Sequence, residues 1–343
     1  MRVLITGGAG YIGSHTLIEL LAVGCEVLVL DDLSNSSTVA LNQVKLIAER
    51  DFEFIKGDTR DANLLVEIFS RFKPEIVLHL AGFKSVAESV DNPLSYYGNN
   101  VSGSVQLLEV MSKHKCTKIV FSSSATVYGA AKYLPYDEDH PTNPINPYGR
   151  TKIMIESIIS DWCKANVNNS AIALRYFNPV GAHSSSLIGE NPCGTPNNLM
   201  PLIVQVAAGE KDKLKVFGKN YNTRDGTGAR DYIHVLDLAS AHLSAIGYLK
   251  NNVGFSVFNV GTGRAITILE LIEVFELVSG TKIEYEFVAE RHGDLAIAVS
   301  DPKKAEKFLR WKAKYTVEDM CRDTWNWQIN KPKIIKGLVS TAP

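Results

Sequence analysis

Met1-Arg2-Val3-Leu4-Ile5-Thr6-Gly7-Gly8-Ala9-Gly10-Tyr11-Ile12-Gly13-Ser14 is the stretch whose reading decides the fold. Residues 2–6 form an apolar run of strand length, and residues 14–21 carry apolar side chains at helical spacing. Between them, glycines at 7, 10 and 13 give G-x-x-G-x-x-G. Gly7 permits the tight turn, Gly10 lets the backbone approach a pyrophosphate, and Gly13 lets the helix lie against the strand. Such a motif is weak alone, but a second strand-like run, 26–30, ends at Asp31, about 20 residues on. An acid there accepts a hydrogen bond from a ribose 2′-hydroxyl. Asp31 and Asp32 together would repel a 2′-phosphate, so the pattern predicts NAD rather than NADP. Tyr11 and Ile12 in the same turn, and Asn35 just after Asp32, are further candidates for the cofactor site.

Further along, strand-like runs at 52–56, 75–80, 117–122 and 171–176 alternate with helical segments near 11–22, 38–49, 61–71, 94–114 and 148–167. This alternation predicts an α/β fold: a Rossmann-type, doubly wound parallel sheet with helices on both faces. Ligands of such sheets lie at the carboxyl ends of the strands. Gly7 to Gly13, Asp31, Asp58, Ala81-Gly82-Phe83-Lys84 and Ser122-Ser123-Ser124 all fall there. From about residue 177 the chain becomes rich in Pro, Gly and Asn. A helix at 198–209, a strand at 214–217, a loop at 218–231, a helix at 235–249, a strand at 256–260, a helix near 267–278 and a mixed tail are expected. Residues 1–176 thus read as the NAD-binding domain. Residues 177–335 read mainly as a smaller mixed α/β substrate-binding lobe, with some segments returning to the main domain.

Tyr148-Gly149-Arg150-Thr151-Lys152 places a phenol and an ammonium four residues apart, hence on one face of a helix. A cation there favours the phenolate, and a serine hydroxyl from 122–124 could hydrogen-bond the same substrate oxygen. The set suits moving a proton on or off a carbon-bound hydroxyl while a hydride moves elsewhere.

The 343 residues carry a formal net charge of −1, with 45% hydrophobic and 21% charged residues. That is ordinary for a soluble globular protein and gives no reason to expect nucleic acid or a membrane surface. No apolar stretch approaches a bilayer span, and the N-terminus is a strand and glycine turn rather than a signal peptide. The five cysteines are widely spaced without a C-x-x-C pair, and the eight histidines show no ligand spacing. No metal site is expected, and reduced thiols in the cytoplasm are.

With Phe121-Ser122-Ser123-Ser124-Ala125-Thr126-Val127-Tyr128-Gly129, Arg175-Tyr176-Phe177-Asn178-Pro179-Val180-Gly181, Pro196-Asn197-Asn198-Leu199-Met200-Pro201 and Asp225-Gly226-Thr227-Gly228 through Arg230-Asp231-Tyr232-Ile233-His234 added, the chain resembles the extended short-chain dehydrogenase/reductases, and among them the UDP-hexose 4-epimerases, from Met1 to about Trp327. The resemblance implies a tightly held NAD used as an internal redox catalyst. Tyr148, aided by Ser124, would take the proton of the sugar 4-hydroxyl. The 4-ketose would turn over and recover hydride on its other face. Lys152 would bind the nicotinamide ribose and keep the Tyr148 pKa low. Asp58 matches an acid that contacts adenine. Ala81, Gly82, Lys84, Asn99, Ser122 and Tyr176 belong to the cofactor pocket. Lys84, Ser124, Tyr148, Phe177, Asn178, Asn198, Leu199, Lys215, Val216, Phe217, Arg230, Arg291, Asp294 and Ala298 would hold the UDP-sugar. Two arginines suit a pyrophosphate, because the planar guanidinium offers paired donors and stays charged. A two-fold homodimer, through the helices at 94–114 and 148–167, is the family's habit.

Position 298 bears on the substrate. A tyrosine is common there in bacterial relatives, whereas alanine should open volume beside the sugar for an acetamido group. The chain is therefore expected to interconvert UDP-GlcNAc with UDP-GalNAc as well as UDP-glucose with UDP-galactose. The alternatives are an epimerase restricted to one pair and a nucleotide-sugar 4,6-dehydratase. The dehydratase relatives carry an Asp-Glu pair after the serine/threonine run, where this chain has Ala125-Thr126. Trp162, Trp311, Trp325 and Trp327 read as packing, and His15, His183 and His234 as neutral structural groups.

Overall fold

The computed structural model describes residues 1–191, 196, 198–291 and 293–339. Cys193, Asn197, His292 and the last four residues, which the motifs above touch, lie outside them. The first half alternates strands and helices: β1 (Arg2–Thr6), α1 (Tyr11–Ala22), β2 (Glu26–Asp31), α2 (Thr38–Ala48), β3 (Glu53–Lys56), α3 (Ala62–Phe72) and β4 (Ile76–His79). Two short helices follow, α4 (Val86–Asp91) and α5 (Pro93–Tyr96), then α6 (Gly103–Lys113), β5 (Lys118–Ser124), α7 (Pro147–Ala165) and β6 (Ser170–Tyr176). The second half holds β7 (Asn178–Val180), α8 (Leu199–Ala207), β8 (Leu214–Phe217), β9 (Ala229–His234), α9 (Val235–Leu249) and β10 (Gly254–Val260). It ends with β11 (Ala265–Thr267), α10 (Ile268–Ser279), β12 (Tyr285–Val288), β13 (Ile297–Ala298) and α11 (Val317–Val339).

Local chemistry sets many of these boundaries. Asp61 caps α3 by accepting from the Asn63 and Leu64 N–H groups, at 3.0 Å each, a device worth ~1 kcal/mol. Asn146 caps α7 through the Gly149 N–H, and Pro147 fills the first turn, where a missing N–H costs nothing. Thr267 and Glu270 form a reciprocal capping box on α10, which Gly280 terminates in the left-handed conformation.

Seven parallel strands make one sheet in the order β10-β6-β5-β4-β1-β2-β3. Strand order reverses between β1 and β4, and such a sheet binds its ligand in the crevice above that reversal. Leu4, Leu28, Val77, Phe121 and Ala173 pack one face of the sheet against α3, α6 and α7. Ile5, Val29, Leu78 and Ile172 pack the other against α1 and α9. Because both faces are buried, these strands read as continuous apolar runs. The sheet is the doubly wound Rossmann type anticipated above. β10 is supplied by the second half of the chain and pairs with β6 over its whole length.

The remaining strands form two small sheets. β9 pairs with β7, β11 and β13, and β8 pairs with β12, over a core of Val204, Val216, Tyr232, Phe275 and Met320. Three expectations need correction. The loop expected at 218–231 ends early, because Ala229-Arg230-Asp231 begin β9, with Ala229 and Asp231 buried and Arg230 partly so. The helix expected over 94–114 is broken at Tyr97–Ser102 by a π-helical turn. That turn lets the Asn100 amide bond Phe83 and the Thr151 hydroxyl. The mixed tail contains α11, whose Met320, Cys321 and Trp327 are buried while Pro332 and many charges obscure the apolar pattern.

Candidate active site

All five carboxyl-end motifs lie along one edge of the sheet. Gly7 sits at φ +75°, and a Cβ there would come within 2.6 Å of the Ala81 nitrogen. At Gly13 it would stand 2.3 Å from the Gly7 carbonyl, so α1 lies directly on the turn. Gly10 differs: its Cβ would meet only the Gly7 oxygen, at 3.4 Å. Its outward side is open, no side chain caps α1, and no acid stands in its first turn. A 12-residue helix aimed through bare glycine at the strand-order reversal is a cradle for a pyrophosphate. Asp31 ends β2, with its Oδ2 taking the Ala9 N–H at 3.0 Å and its Oδ1 taking Leu33 N and Ser36 Oγ. The acid thus also clamps the glycine turn, a second task the sequence did not disclose. Asp32 holds Ser34, and Asn35 is exposed in the same loop. Asp58 is paired with Arg60, whose hydrogen bonds hold its carboxyl below the usual range. Gly82 lies against the Asn100 side chain, and Asn99 donates to Asn100 at 3.0 Å.

The catalytic candidates meet between β5 and α7. Tyr148 and Lys152 lie on one face of the helix, Lys152 buried and Tyr148 partly so, with Lys152 Nζ 5.7 Å from the Tyr148 ring centroid. Nζ donates to the Ser122 carbonyl at 2.7 Å and stands 4.9 Å from the Phe121 ring. Burial pushes the phenol up to about 12, opposed by a hydrogen bond with Ser124. Burial likewise pulls the Lys152 ammonium down to about 8, opposed by the Glu156 carboxylate. The low phenol pKa expected from the spacing is therefore not a property of these side chains alone, since desolvation outweighs the hydrogen bond with Ser124. Ser124 Oγ accepts from Thr126 N at 3.2 Å and meets Thr126 Oγ1 at 3.0 Å, which fixes its direction. The Tyr176 phenol bonds His242 at 2.5 Å.

Across the crevice, Phe177 packs with Val127, Tyr128 and Tyr136, and Ala125, Ile153 and Ala298 pack against that cluster. Ala298 is thus brought beside the turn that follows Ser124, and it pairs in register with Arg230. Arg230 Nη1 is held by the Ala229 and Leu295 carbonyls at 2.9 and 2.7 Å. The Arg291 guanidinium stacks 3.6 Å over the Phe217 ring. Arg230, Arg291, Glu290 and Asp294 all act electrostatically on Tyr221, so the structure gathers them at one place. The Tyr221 hydroxyl is buried with no partner among the described residues. Lys215 is exposed and Val216 buried on β8, and Asn178 is exposed where β7 begins.

Glu190 was not singled out from sequence. Its Oε1 accepts from Lys84 at 3.2 Å and from Asn198 at 3.4 Å, joining the main sheet to the start of α8, beside Leu199. An acid in a Pro/Gly/Asn-rich loop carries no sequence signal of its own. Trp311 and Trp327 are buried as packing groups, and burial pulls His15 down to about 3, leaving it neutral, and lowers His183 in the same direction. No metal-ligand cluster and no helix long and apolar enough to cross a membrane occur among the described residues.

Residues 4–324 match the family model described as GDP-mannose 4,6 dehydratase. At the level of single proteins, the chain is 52% identical to UDP-glucose 4-epimerase 1 of Oryza sativa subsp. japonica, covering 96% of this chain and 95% of that one. It is 51% identical to the UDP-glucose 4-epimerase of Bacillus subtilis, covering 96% and 97%. Among solved structures, that of UDP-glucose 4-epimerase from Bifidobacterium longum in complex with NAD+ and UDP superposes with a TM-score of 0.94. There the identity is 46%, over 97% of this chain and 99% of that chain.

Proposed function

The chain belongs to the UDP-glucose 4-epimerase family, and from that premise we infer how its residues divide the work. It is an NAD-dependent isomerase that inverts C4 of UDP-hexoses through a transient 4-keto sugar. The open cradle at Gly10, with Gly7 and Gly13 packed behind it, fits the cofactor pyrophosphate. Asp31 and Asp32 suit the adenosine ribose, Asp58 the adenine end, and Lys152 the nicotinamide ribose. When bound, NAD supplies the hydride acceptor and donor. Tyr148 takes the proton of the 4-hydroxyl and later returns it, while Ser124, aimed by Thr126, hydrogen-bonds the same oxygen. A phenol buried to a pKa near 12 is a strong proton acceptor once ionised, and a positive charge brought beside it favours that ionisation. Arg230, Arg291 and Asp294 suit the diphosphate and uridine ribose, holding the nucleotide while the ketose rotates.

A 4,6-dehydratase is the second reading, because the family model carries that description. Ala125 and Thr126 stand where that chemistry needs an acid and a base, and the Thr126 hydroxyl is engaged with Ser124. The reading fails on that observation.

We further propose that the pocket accepts N-acetylated hexoses. The supporting observation is Ala298, a small residue packed against the Val127, Tyr128, Tyr136 and Phe177 cluster that follows Ser124, where a methyl takes up less of the site than a tyrosine would. Proton NMR of the purified protein with UDP-GlcNAc and, separately, UDP-glucose, without added NAD, tests both statements. Both C4 epimers should appear in both tubes, and Ala298→Tyr should abolish only the acetylated pair. Turnover of UDP-glucose alone would retain the epimerase and end the pocket argument. A cytoplasmic homodimer is also proposed. Val90 and Leu94 are exposed on α4 and α5, which pack beside α7, and Cys25, Cys116, Cys163 and Cys321 are unpaired thiols. Sedimentation equilibrium measures the assembly directly. The chain up to Tyr176 is proposed as the NAD-binding domain and residues 177–335 mainly as the sugar lobe.

A further inference from the structure

Beneath the reactive groups runs a row of buried polar side chains that the reaction does not touch. Ser123 on β5, Arg175 on β6 and Asn259 on β10 are direct register partners, so three strands place them side by side. Glu156 meets this row from α7, one turn beyond Lys152 and two beyond Tyr148. Its carboxylate takes Ser123 Oγ at 2.5 Å and both ends of the Arg175 guanidinium, Nε at 3.0 Å and Nη2 at 2.7 Å. Arg175 Nη1 continues to the Tyr128 hydroxyl at 3.0 Å, and Tyr128 to Asn259 Oδ1 at 2.6 Å. Tyr128 then stacks on Tyr136, 4.8 Å between centroids, in the wall that Phe177 and Ala298 complete.

Burying an ion pair this deeply is poor economy for stability alone, since apolar residues of the same volume often serve as well. Its position suggests what it does. Lys152 Nζ ties α7 to β5 through the Ser122 carbonyl, and Glu156 ties the same two elements through Ser123, the next residue. We propose that Glu156 is a positioning residue for epimerisation, which keeps the Lys152 ammonium charged and fixes the β5 end that carries Ser124. The proposal rests on the roles given above to Tyr148 and Lys152.

The groups facing Lys152 are few. His79 on β4 is buried, bonded to Thr6 and Ser104, and held neutral down to about pH 3. Tyr148 on α7 and Tyr176 on β6 are phenols that burial keeps protonated. Arg175 on β6 is a permanent cation whose charge Glu156 takes up bidentately. Among the described residues, Glu156 is the acid that acts on Lys152, opposing the burial that lowers its pKa. Without that carboxylate, Lys152 faces desolvation with no opposing charge, which disfavours the ammonium.

The test is the pH profile of kcat/KM for UDP-galactose with the holoenzyme, whose alkaline limb reports loss of the Lys152 proton. Glu156→Gln should move that limb to lower pH by about one unit. Glu156→Asp, which keeps the charge, should return most of the way. The unpaired Arg175 can unfold the single variant, so the double variant E156Q/R175M, which removes both charges, is measured beside it. Its limb should also move to lower pH. A folded E156Q or double variant that loses activity evenly at all pH values, its limb unmoved, would overturn the proposal and leave the pair a prop for the fold. Wild-type protein that epimerises nothing would overturn the reading of Tyr148 and Lys152 beneath it as well.

Discussion

At the scale of single residues, the site is governed by desolvation. Lys152 is buried and Tyr148 partly buried, and each is moved away from its charged form. Tyr148→Phe removes the hydroxyl proposed to carry the proton and should lower kcat roughly 10²- to 10⁴-fold, with NAD content unchanged, by a coupled UDP-galactose assay. Lys152 gives a pH prediction whose sign follows from linkage. Its native pKa of about 8 lies below the ordinary 10.5, so between those values the unfolded chain binds more protons. The Lys152 contribution to stability should therefore rise as pH increases through that window, while the buried thiols Cys116, Cys163 and Cys321, whose pKa values burial raises, act in the opposite sense. The stability difference between wild type and Lys152→Met, by urea unfolding, should grow by roughly 2 kcal/mol in favour of the wild type between pH 8 and pH 10. Identical slopes in the two proteins would mean that Lys152 titrates normally. The positions of Tyr148, Lys152 and Ser124 were legible in the sequence because helical spacing and strand ends are local properties. Their ionisation was not, because burial depends on Phe121, His79 and Tyr176, which arrive from other strands.

At the scale of elements, the glycine turn was the most legible part of the chain. Each of its glycines answers to a distance: Gly7 to Ala81, Gly13 to Gly7, and Gly10 to open space. Gly13→Ala sets a methyl against a backbone oxygen that cannot yield, so α1 must lift from β1. Acid-released NAD per protein should fall to a small fraction of the wild type, while Gly10→Ala should fold and lose cofactor affinity instead. Full NAD content in folded Gly13→Ala would sink the argument. What stayed hidden at this scale was structure made by remote pairing. β9 looked like a loop because its Ala-Arg-Asp start is polar, and it becomes a strand only between β7, β11 and β13. The π-helical turn at Tyr97–Ser102 has no local signature either, since its reason is the reach of Asn100 to Phe83 and Thr151.

At the scale of the molecule, the two halves of the chain share one sheet. β10 hydrogen-bonds β6 along seven register pairs, and α9 covers the face shared with α1 through Leu238, Ala241 and Ala245. A fragment ending at Tyr176 would expose the β6 edge and an apolar face. It should lack the near-ultraviolet signal and hydrogen-exchange protection of the full chain; a protected, monomeric fragment would show that the first half folds alone. The same pairing sets a clock on the ribosome. After Tyr176 is made, 84 more residues are needed to reach Val260. At about 5–20 residues per second, that is roughly 4–17 s during which the nascent sheet has no partner for its last edge. The glycine turn, made first, must wait through that interval on an unfinished sheet, and a chaperone that shields the β6 edge would be needed then and not after.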